Sequence, residues 1–578
     1  MTLISSLLLI SVLAMYPFRL FFPLSSMFFP EKFFLTDASI VSGLSLLVIL
    51  LSKAKKLSSN SIKIFIPTAI FIFLISIQFF FLNAYRTRDF FLSSIWVLVP
   101  LAVAIEKDFF RKYITLFLLL LWMSNFYLYY GTRSEVGLVG NYNWHAGFLV
   151  GTMLPVSYYI YAFLKKKGLK YLAIAGTLLA PLFALWISFR YSARGATLSL
   201  IITVILFFLL ELPRVYRRYI VCIIFLAIGI AGCFIFINSA EFGNIIYNDV
   251  RIPLYYSAVQ LIKDNLWVGT GISGFESAFL PYRHYNYFLR SEYFAVSSNH
   301  PHFQALFLAA SFGLPAFVVL CWFWFYPIIA YTRRPNNADA FTKIIFYSLV
   351  IFLVHSCFDL VLNIWPIMYI GFIYLGILWG EKINEKKSAQ ENDITHQTKK
   401  INYILIPIAL TAIFLILFGI WNNIMYSFYI RSSAIHSAYM NPQASIASAE
   451  KAFKYYKDPV EVYRTALISL NLLNDPVLAL HFFEMMDELP SPQIGHSNAY
   501  RAATLLKLGR KRSALFFLEK EVKNFPISVV ALFNKMQLEY NLGMLADAEK
   551  TSKYLDIALK FKHFEYEDIK YLLINPYY

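Results

Sequence analysis

"HPHFQALFLAASFGLPAFVVLCWFWFYPIIAY" runs from His300 to Tyr331. Beyond His302 it carries no charged residue, and it is longer than the ~20 residues a helix needs to cross a bilayer. Two histidines stand at its head. The stretch therefore reads as a membrane helix with polar chemistry at one mouth. Similar apolar stretches occur near 2–22, 36–52, 62–83, 90–105, 111–130, 143–164, 170–189, 195–212, 218–238, 342–363, 364–380 and 402–421. The first has no basic flank or small-residue cleavage site and reads as a retained helix. The chain of 578 residues is 59% hydrophobic and 15% charged, far too apolar for a soluble core. These features predict an all-α polytopic membrane protein with about 12–13 transmembrane helices.

The net charge of +17 does not imply nucleic acid. Short cytoplasmic loops of membrane proteins concentrate Lys and Arg. With a cytoplasmic N-terminus, the inner loops hold 22 such residues and the short outer loops and helix ends hold 7. That bias puts residues 239–301, a long loop, and residues 422–578, after the last helix, on the outer side. The expected division is a transmembrane domain over 1–421 and an extracytoplasmic helical domain over 422–578.

The second region repeats itself. "AYRAATLLKLGRKRSALFFLEKEVKNFP" (499–526) resembles a tetratricopeptide unit, with Ala502 facing a neighbour, Gly509 at the turn, Ala514 in the second helix and Pro526 at its end. Gly543 and Ala548 repeat Gly509 and Ala514 one period later; Asn474 and Ala479 fit one period earlier, with Asn441 before them. Three to four helical hairpins in a short solenoid are expected, able either to bind a protein partner or to cap the membrane domain.

The four cysteines, Cys222, Cys233, Cys321 and Cys357, lie in or beside apolar helices without metal spacing and read as packing residues. "GTGISGF" places Gly269, Gly271 and Gly274 in a G-x-G-x-x-G pattern. It follows an amphipathic stretch, "RIPLYYSAVQLIKDN", rather than a strand, so it reads as a helix end and a turn rather than a dinucleotide site.

The polar residues gather on one side. Arg86 and Arg88 share an outer loop; Arg133 and "GNYNWH" (140–145) lie in the next; Arg190 and Arg194 flank "FRYSARGA"; Arg251 opens the amphipathic helix; His300 and His302 close the long loop. His355 and Asp359, four apart, are expected on one face near the outer end of the 342–363 helix. The helix centres hold almost no ionisable residue, unlike a transporter with a midplane site. This distribution suits an enzyme acting on an amphiphile with its headgroup at the outer surface. Clustered guanidinium groups match phosphate oxygens bidentately, and a histidine beside them can take a proton from an acceptor hydroxyl. Each arginine can equally be an interfacial anchor. The two histidines can cap the helix, or approach metal ligation with His145, His284 or His355.

"RIPLYYSAVQLIKDNLWVGTGISGF" with "HPHFQALFLAASFGLPAF" resembles the signature of the O-antigen ligase superfamily, which includes O-antigen ligases, O-antigen polymerases and bacterial protein O-oligosaccharyltransferases. Arg251, Gly269 to Gly274, His302 and Gly313 fit its order; "YSARGATLSL" resembles its Ser-Arg-Gly helix start at Arg194, and "LVHSCFDLVL" its late polar helix. The resemblance spans about 140–380, with Phe303 and Ser311 as departures. It implies a GT-C-like membrane glycosyltransferase of the bacterial cytoplasmic membrane. The donor would be a glycan on undecaprenyl diphosphate, and the acceptor a hydroxyl on lipid A core, a growing glycan or a protein. Neither cofactor nor metal is expected. Arg194, Arg251 and Arg190, with Arg86 and Arg88 behind them, would hold the pyrophosphate. His302 would be the base, supported by His300, His355 and Asp359. A lipid-linked glycan flippase is the alternative from another class.

Overall fold

The computed structural model describes residues 62–81, 87–131, 141–213, 216, 251–283, 300–333, 338–364, 366–384, 421–422, 424–489, 494–525 and 528–560. The stretches expected near 2–22, 36–52, 218–238 and 402–421 lie outside these, apart from Trp421 at the last one's end, as do Arg86, Arg133, His284 and Pro526.

Every described element is helical. The membrane part contains α1 (Ile62–Phe81), α2 (Thr87–Ile105), α3 (Lys107–Gly131), α4 (Tyr142–Lys166), α5 (Lys170–Arg190), α6 (Arg194–Glu211), α7 (Arg251–Asp264), α8 (Gln304–Thr332), α9 (Ala340–His355) and α10 (Ile367–Asn384). Helices α4, α5, α6 and α8 are each long and apolar enough to cross a membrane. Their interior is apolar and aromatic, with Phe148, Phe312, Tyr369, Tyr374 and Trp379 fully or almost fully buried. An integral membrane protein follows from these helices.

Polar contacts tie the helix ends opposite the histidines. Arg111 on α3 bridges Asp339, which caps α9, and Glu381 on α10; Lys107 reaches the same Glu381 at 3.0 Å. Glu211 at the end of α6 pairs with Lys343 of α9 and accepts from Tyr331 of α8 and Tyr347 of α9 at 3.2 and 3.0 Å. Neutralising carboxylates in pairs at this boundary avoids the cost of a lone charge near lipid.

The helix beginning near His302 is broken at Gly313, where φ is 72° and ψ 162°. That region of backbone space is essentially reserved for glycine. The reason is a clasp between two segments. The amides of Thr270 and Gly271 donate to the carbonyls of Ala310 and Ser311 at 2.9 Å each, and the Leu314 amide donates to the Leu266 carbonyl at 2.7 Å. Gln78 of α1 donates a further bond to the Ser311 carbonyl. The break leaves helical carbonyls without their usual amides, and the glycine turn supplies the donors. The G-x-G-x-x-G pattern thus serves a close backbone approach. A Cβ on Gly313 would stand 2.6 Å from the Trp267 carbonyl oxygen. Gly313→Ala is expected to cost about 1–3 kcal/mol from backbone conformation alone, with the steric clash added, and to cut the yield of monodisperse protein in detergent chromatography. Unchanged thermal stability would show that the break is not required.

Three expectations need correction. The helix expected over 342–363 ends at His355, and a turn over 356–358 and a short 3-10 turn, Val361–Asn363, follow. His355 and Asp359 are therefore not on one continuous helix. The Asp359 carboxylate takes the Leu360 amide at 2.7 Å, and the Ser356 carbonyl accepts from Gln304 at 3.0 Å, so groups that would continue the helix are used elsewhere. His302 precedes α8 rather than opening it, since Phe303 is the cap residue. Cys357 is exposed rather than packed; Cys321 is half-buried, and Cys222 and Cys233 lie outside the described residues.

The C-terminal region contains a helix at 424–438 followed by α11 (Pro442–Phe453), α12 (Pro459–Asn471), α13 (Pro476–Asp487), α14 (Ser497–Lys507), α15 (Lys511–Asn524), α16 (Val529–Asn541) and α17 (Leu545–Lys560). These pair as hairpins. The turns at Met440, Asn474, Gly509 and Gly543 all have positive φ, at 55°, 52°, 73° and 75°. Their near-constant spacing repeats one supersecondary unit, with Ala479, Ala502, Ala514 and Ala548 buried between helices. This region touches the segment after α7. Arg283 is buried, donates through Nε to the Leu280 carbonyl at 3.2 Å and through a terminal nitrogen to the Asn524 carbonyl, and lies 4.5 Å from the Phe525 ring centre.

Candidate active site

Three helix starts and the second turn of a fourth helix meet around one buried histidine. His355 is 1% exposed and ends α9. Its ring lies in a slot made by glycines on two neighbours: a Cβ on Gly147 of α4 would stand 2.5 Å from Nδ1, and one on Gly195 of α6 would stand 2.9 Å from Nε2. Small residues let these helices approach the ring closely. Arg251, first residue of α7, is near enough to act electrostatically on the same imidazole. The Gln304 amide at the start of α8 bonds to the next residue, Ser356. The starts of α6, α7 and α8 and the second turn of α4 thus meet here, and the dipoles of helices beginning at one place favour a negative charge.

His302 stands at this junction in a left-handed conformation, φ 53°. Its Nδ1 lies 3.4 Å from Asp359 Oδ1. Asp359 is buried; burial opposes its charge, but the hydrogen bonds from His302 and the Leu360 amide outweigh that and hold the carboxyl at about 2. The ionised carboxylate orients the His302 ring with Nδ1 as donor, leaving Nε2 as acceptor. His302 is about a quarter exposed, so this nitrogen belongs to a group that solvent or substrate reaches.

His300 stacks edge-on against His302, ring centres 4.3 Å apart, and its Nδ1 accepts from the His302 amide at 3.4 Å. Burial, and then the neighbouring His302, push the His300 imidazole from the usual 6.5 down to about 4. Above pH 6.5 it is neutral both folded and unfolded. Between 6.5 and 4 the unfolded chain binds the proton and the folded one does not, so stability falls as pH drops through that window. Thermal denaturation in detergent should show this loss, and His300→Gln should make the slope shallower. An unchanged slope would mean that His300 is not held neutral.

The arginines divide into groups. Arg194 is exposed at the first turn of α6, just after Ser192, another left-handed residue at φ 50°. It lines an open groove of about 340 Å³ between the ends of α5 and α6, with Ser192 and Thr197 polar and Phe189, Leu198 and Ile201 apolar. Arg190 is also exposed, but its guanidinium lies 5.4 Å from the Trp186 ring, 5.6 Å from Tyr191 and 6.0 Å from Tyr129. Those distances suit cation–π contact. Arg88 lies in the first turn of α2, its side chain outside the described part.

Sequence reasoning missed two features. The first is the ring that hydrogen-bonds the Asp359 carboxylate, which is His302 across 57 residues of sequence, while His355 acts on it only electrostatically and through its backbone carbonyl. The second is Asn125, buried on α3, which bonds His145 of α4 at 2.8 Å. An asparagine alone in an apolar run, "LWMSNFYLYY", was its only signal. Among the described residues no three His, Cys, Asp or Glu side chains form a metal-ligand set.

Residues 179–321 match the family described as O-antigen ligase. The match includes Arg190, Arg194, Arg251, His300, His302 and Gly313, and stops before His355 and Asp359. None of the curated proteins matches the chain.

Proposed function

We propose that this chain, a membrane protein carrying an O-antigen ligase domain at 179–321, transfers a glycan from undecaprenyl diphosphate to an acceptor hydroxyl. The observation that supports this reading most is the arrangement around His355. Arg251 acts on the His355 imidazole at this junction, where His302 stands oriented and accessible, and Arg194 opens α6 one residue before the glycine that borders the same ring. The apolar groove below Arg194 offers the lipid tail a place beside the membrane helices.

The reaction follows from these groups. The acceptor oxygen attacks the anomeric carbon and passes its proton to His302 Nε2. The bond from that carbon to the diphosphate breaks, and its electron pair leaves on the diphosphate oxygen. Arg194 and Arg251, with the helix starts, stabilise the charge that grows there. His302 removes the proton as attack proceeds, while Asp359 keeps its ring in place. The charge bias of the loops supports an outer-face position for this junction, in the bacterial cytoplasmic membrane.

The family's members include polymerases and protein oligosaccharyltransferases, and the same reaction serves each, the acceptor hydroxyl alone changing. The direct test is purified protein with a glycan on undecaprenyl diphosphate and, in parallel, lipid A core, repeat-unit and protein acceptors. Appearance of one glycoconjugate with release of undecaprenyl diphosphate is expected. Donor that remains intact with every acceptor argues against the reading.

A further inference from the structure

We propose that α7 and the glycine turn after it rest on the lipid surface at the site's end of the membrane, as an interfacial anchor. This inference rests on the membrane reading of α8 and not on the chemistry proposed above.

Helix α7 is apolar on two faces. One is buried through Pro253, Leu254, Ala258 and Leu261. The other carries Ile252, Tyr256 and Val259, which are 49%, 54% and 37% exposed. Their four- and three-residue spacing forms one stripe, and Lys263 continues it a turn later. Trp267 follows in the turn and is 75% exposed. An outer loop in water would gain nothing from this second apolar face.

What covers the face is indicated by its continuation. The clasp at Gly313 places Trp267 against the start of the second half of α8. That half, 314–332, is about 28 Å long at 1.5 Å per residue and spans the bilayer core by itself. It exposes Leu314, Val318, Trp322, Phe325 and Ile329 at helical spacing, the stripe that faces lipid. Trp267, one turn beyond Lys263, thus meets the head of that stripe, where the Leu314 amide bonds the Leu266 carbonyl. Trp and Tyr are the residues enriched where lipid meets water, and Lys263 can reach lipid phosphates while its stem lies along the apolar surface. A lipid surface therefore fits better than a protein partner. The anchor would hold Arg251, the first residue of α7, near the depth of lipid headgroups.

The test uses the full chain with its four cysteines replaced by serine, reconstituted in phosphatidylethanolamine and phosphatidylglycerol vesicles. Single nitroxide labels are placed at Tyr256→Cys, Val259→Cys and Trp267→Cys, with Val318→Cys as lipid reference and Lys553→Cys as water reference. Power-saturation spectroscopy then compares collisions with oxygen and with a water-soluble nickel chelate. The three labels are expected to favour oxygen, as at 318. Preference for nickel, as at 553, overturns the proposal. So does loss of access to both with dipolar broadening, which marks a second copy on this face. Two independent positions on α7 keep the test decisive if the Trp267 variant does not fold.

Discussion

His302→Ala is expected to lower glycan transfer by about 100- to 10,000-fold while the donor still binds. The expectation rests on geometry more than on residue type. His302 is accessible and oriented by a buried carboxylate at 3.4 Å, whereas His355 is enclosed and His300 is turned toward the His302 backbone. Of these three, His302 alone is both accessible and anchored through its ring. Asp359→Asn tests the anchor. It keeps the shape but loses the charge that orients Nδ1, and a slightly misdirected base costs up to about 100-fold. The decisive measurement is turnover by purified variants beside donor affinity measured separately. A His302→Ala enzyme that turns over at the wild-type rate removes this histidine from the chemistry. A variant that fails to bind donor makes His302 a binding group instead. His300→Ala should cost less than either, through loosening of the loop.

Much of the fold was legible because a bilayer imposes a simple rule. Backbone amides in lipid must bond within their own segment, so long uncharged runs become helices. The runs near 143–164, 170–189 and 195–212 correspond to α4, α5 and α6. The hairpin turns at Gly509 and Gly543 were legible for a different reason: a left-handed turn selects glycine, and a repeat selects it again one period on. What hydropathy does not encode is a break inside a uniform run. Phe312 and Leu314 are as apolar as their neighbours, and only the backbone contact with the Gly269 turn shows that Gly313 interrupts the helix. The end of α9 escaped for the same reason, since Asp359 stops the pattern through a bond to its neighbour's amide.

His300, His302, His355 and Asp359 were legible as neighbours but not as a set of pairs. Counting four residues from His355 to Asp359 presumed a continuous helix. In the folded chain that aspartate turns to His302, and His355 fills a slot left by two glycines. Gly147 and Gly195 carried no sign of this role in a single sequence, because the need for a missing Cβ comes from a ring brought in by a distant helix. The arginines were likewise equal in sequence. Their surroundings separate them, with Arg190 resting among aromatic rings and Arg194 at the mouth of a groove.

That separation predicts unequal responses to the same substitution. Arg194→Lys is expected to slow transfer by about 30- to 1000-fold, equivalent to on the order of 2–4 kcal/mol of lost transition-state stabilisation. The charge is kept, so a role in simple attraction would survive. What is lost is the planar fork that donates two parallel bonds to phosphate oxygens, which an ammonium on a flexible stem does not reproduce. Arg194 begins α6 after the left-handed Ser192, beside Gly195 and the His355 slot, so the guanidinium leaves a fixed turn rather than a mobile loop. Arg190→Lys should cost less, because its packing on Trp186 and Tyr191 is a contact that a lysine partly retains. Both variants are compared in detergent at saturating acceptor, with kcat and donor affinity read separately after confirming wild-type chromatographic behaviour. A fall in kcat with donor affinity little changed assigns Arg194 to the departing diphosphate. A pure loss of affinity assigns it to the ground-state headgroup. Wild-type values in a folded Arg194→Lys protein leave it an interfacial anchor and pass the leaving-group role to Arg251.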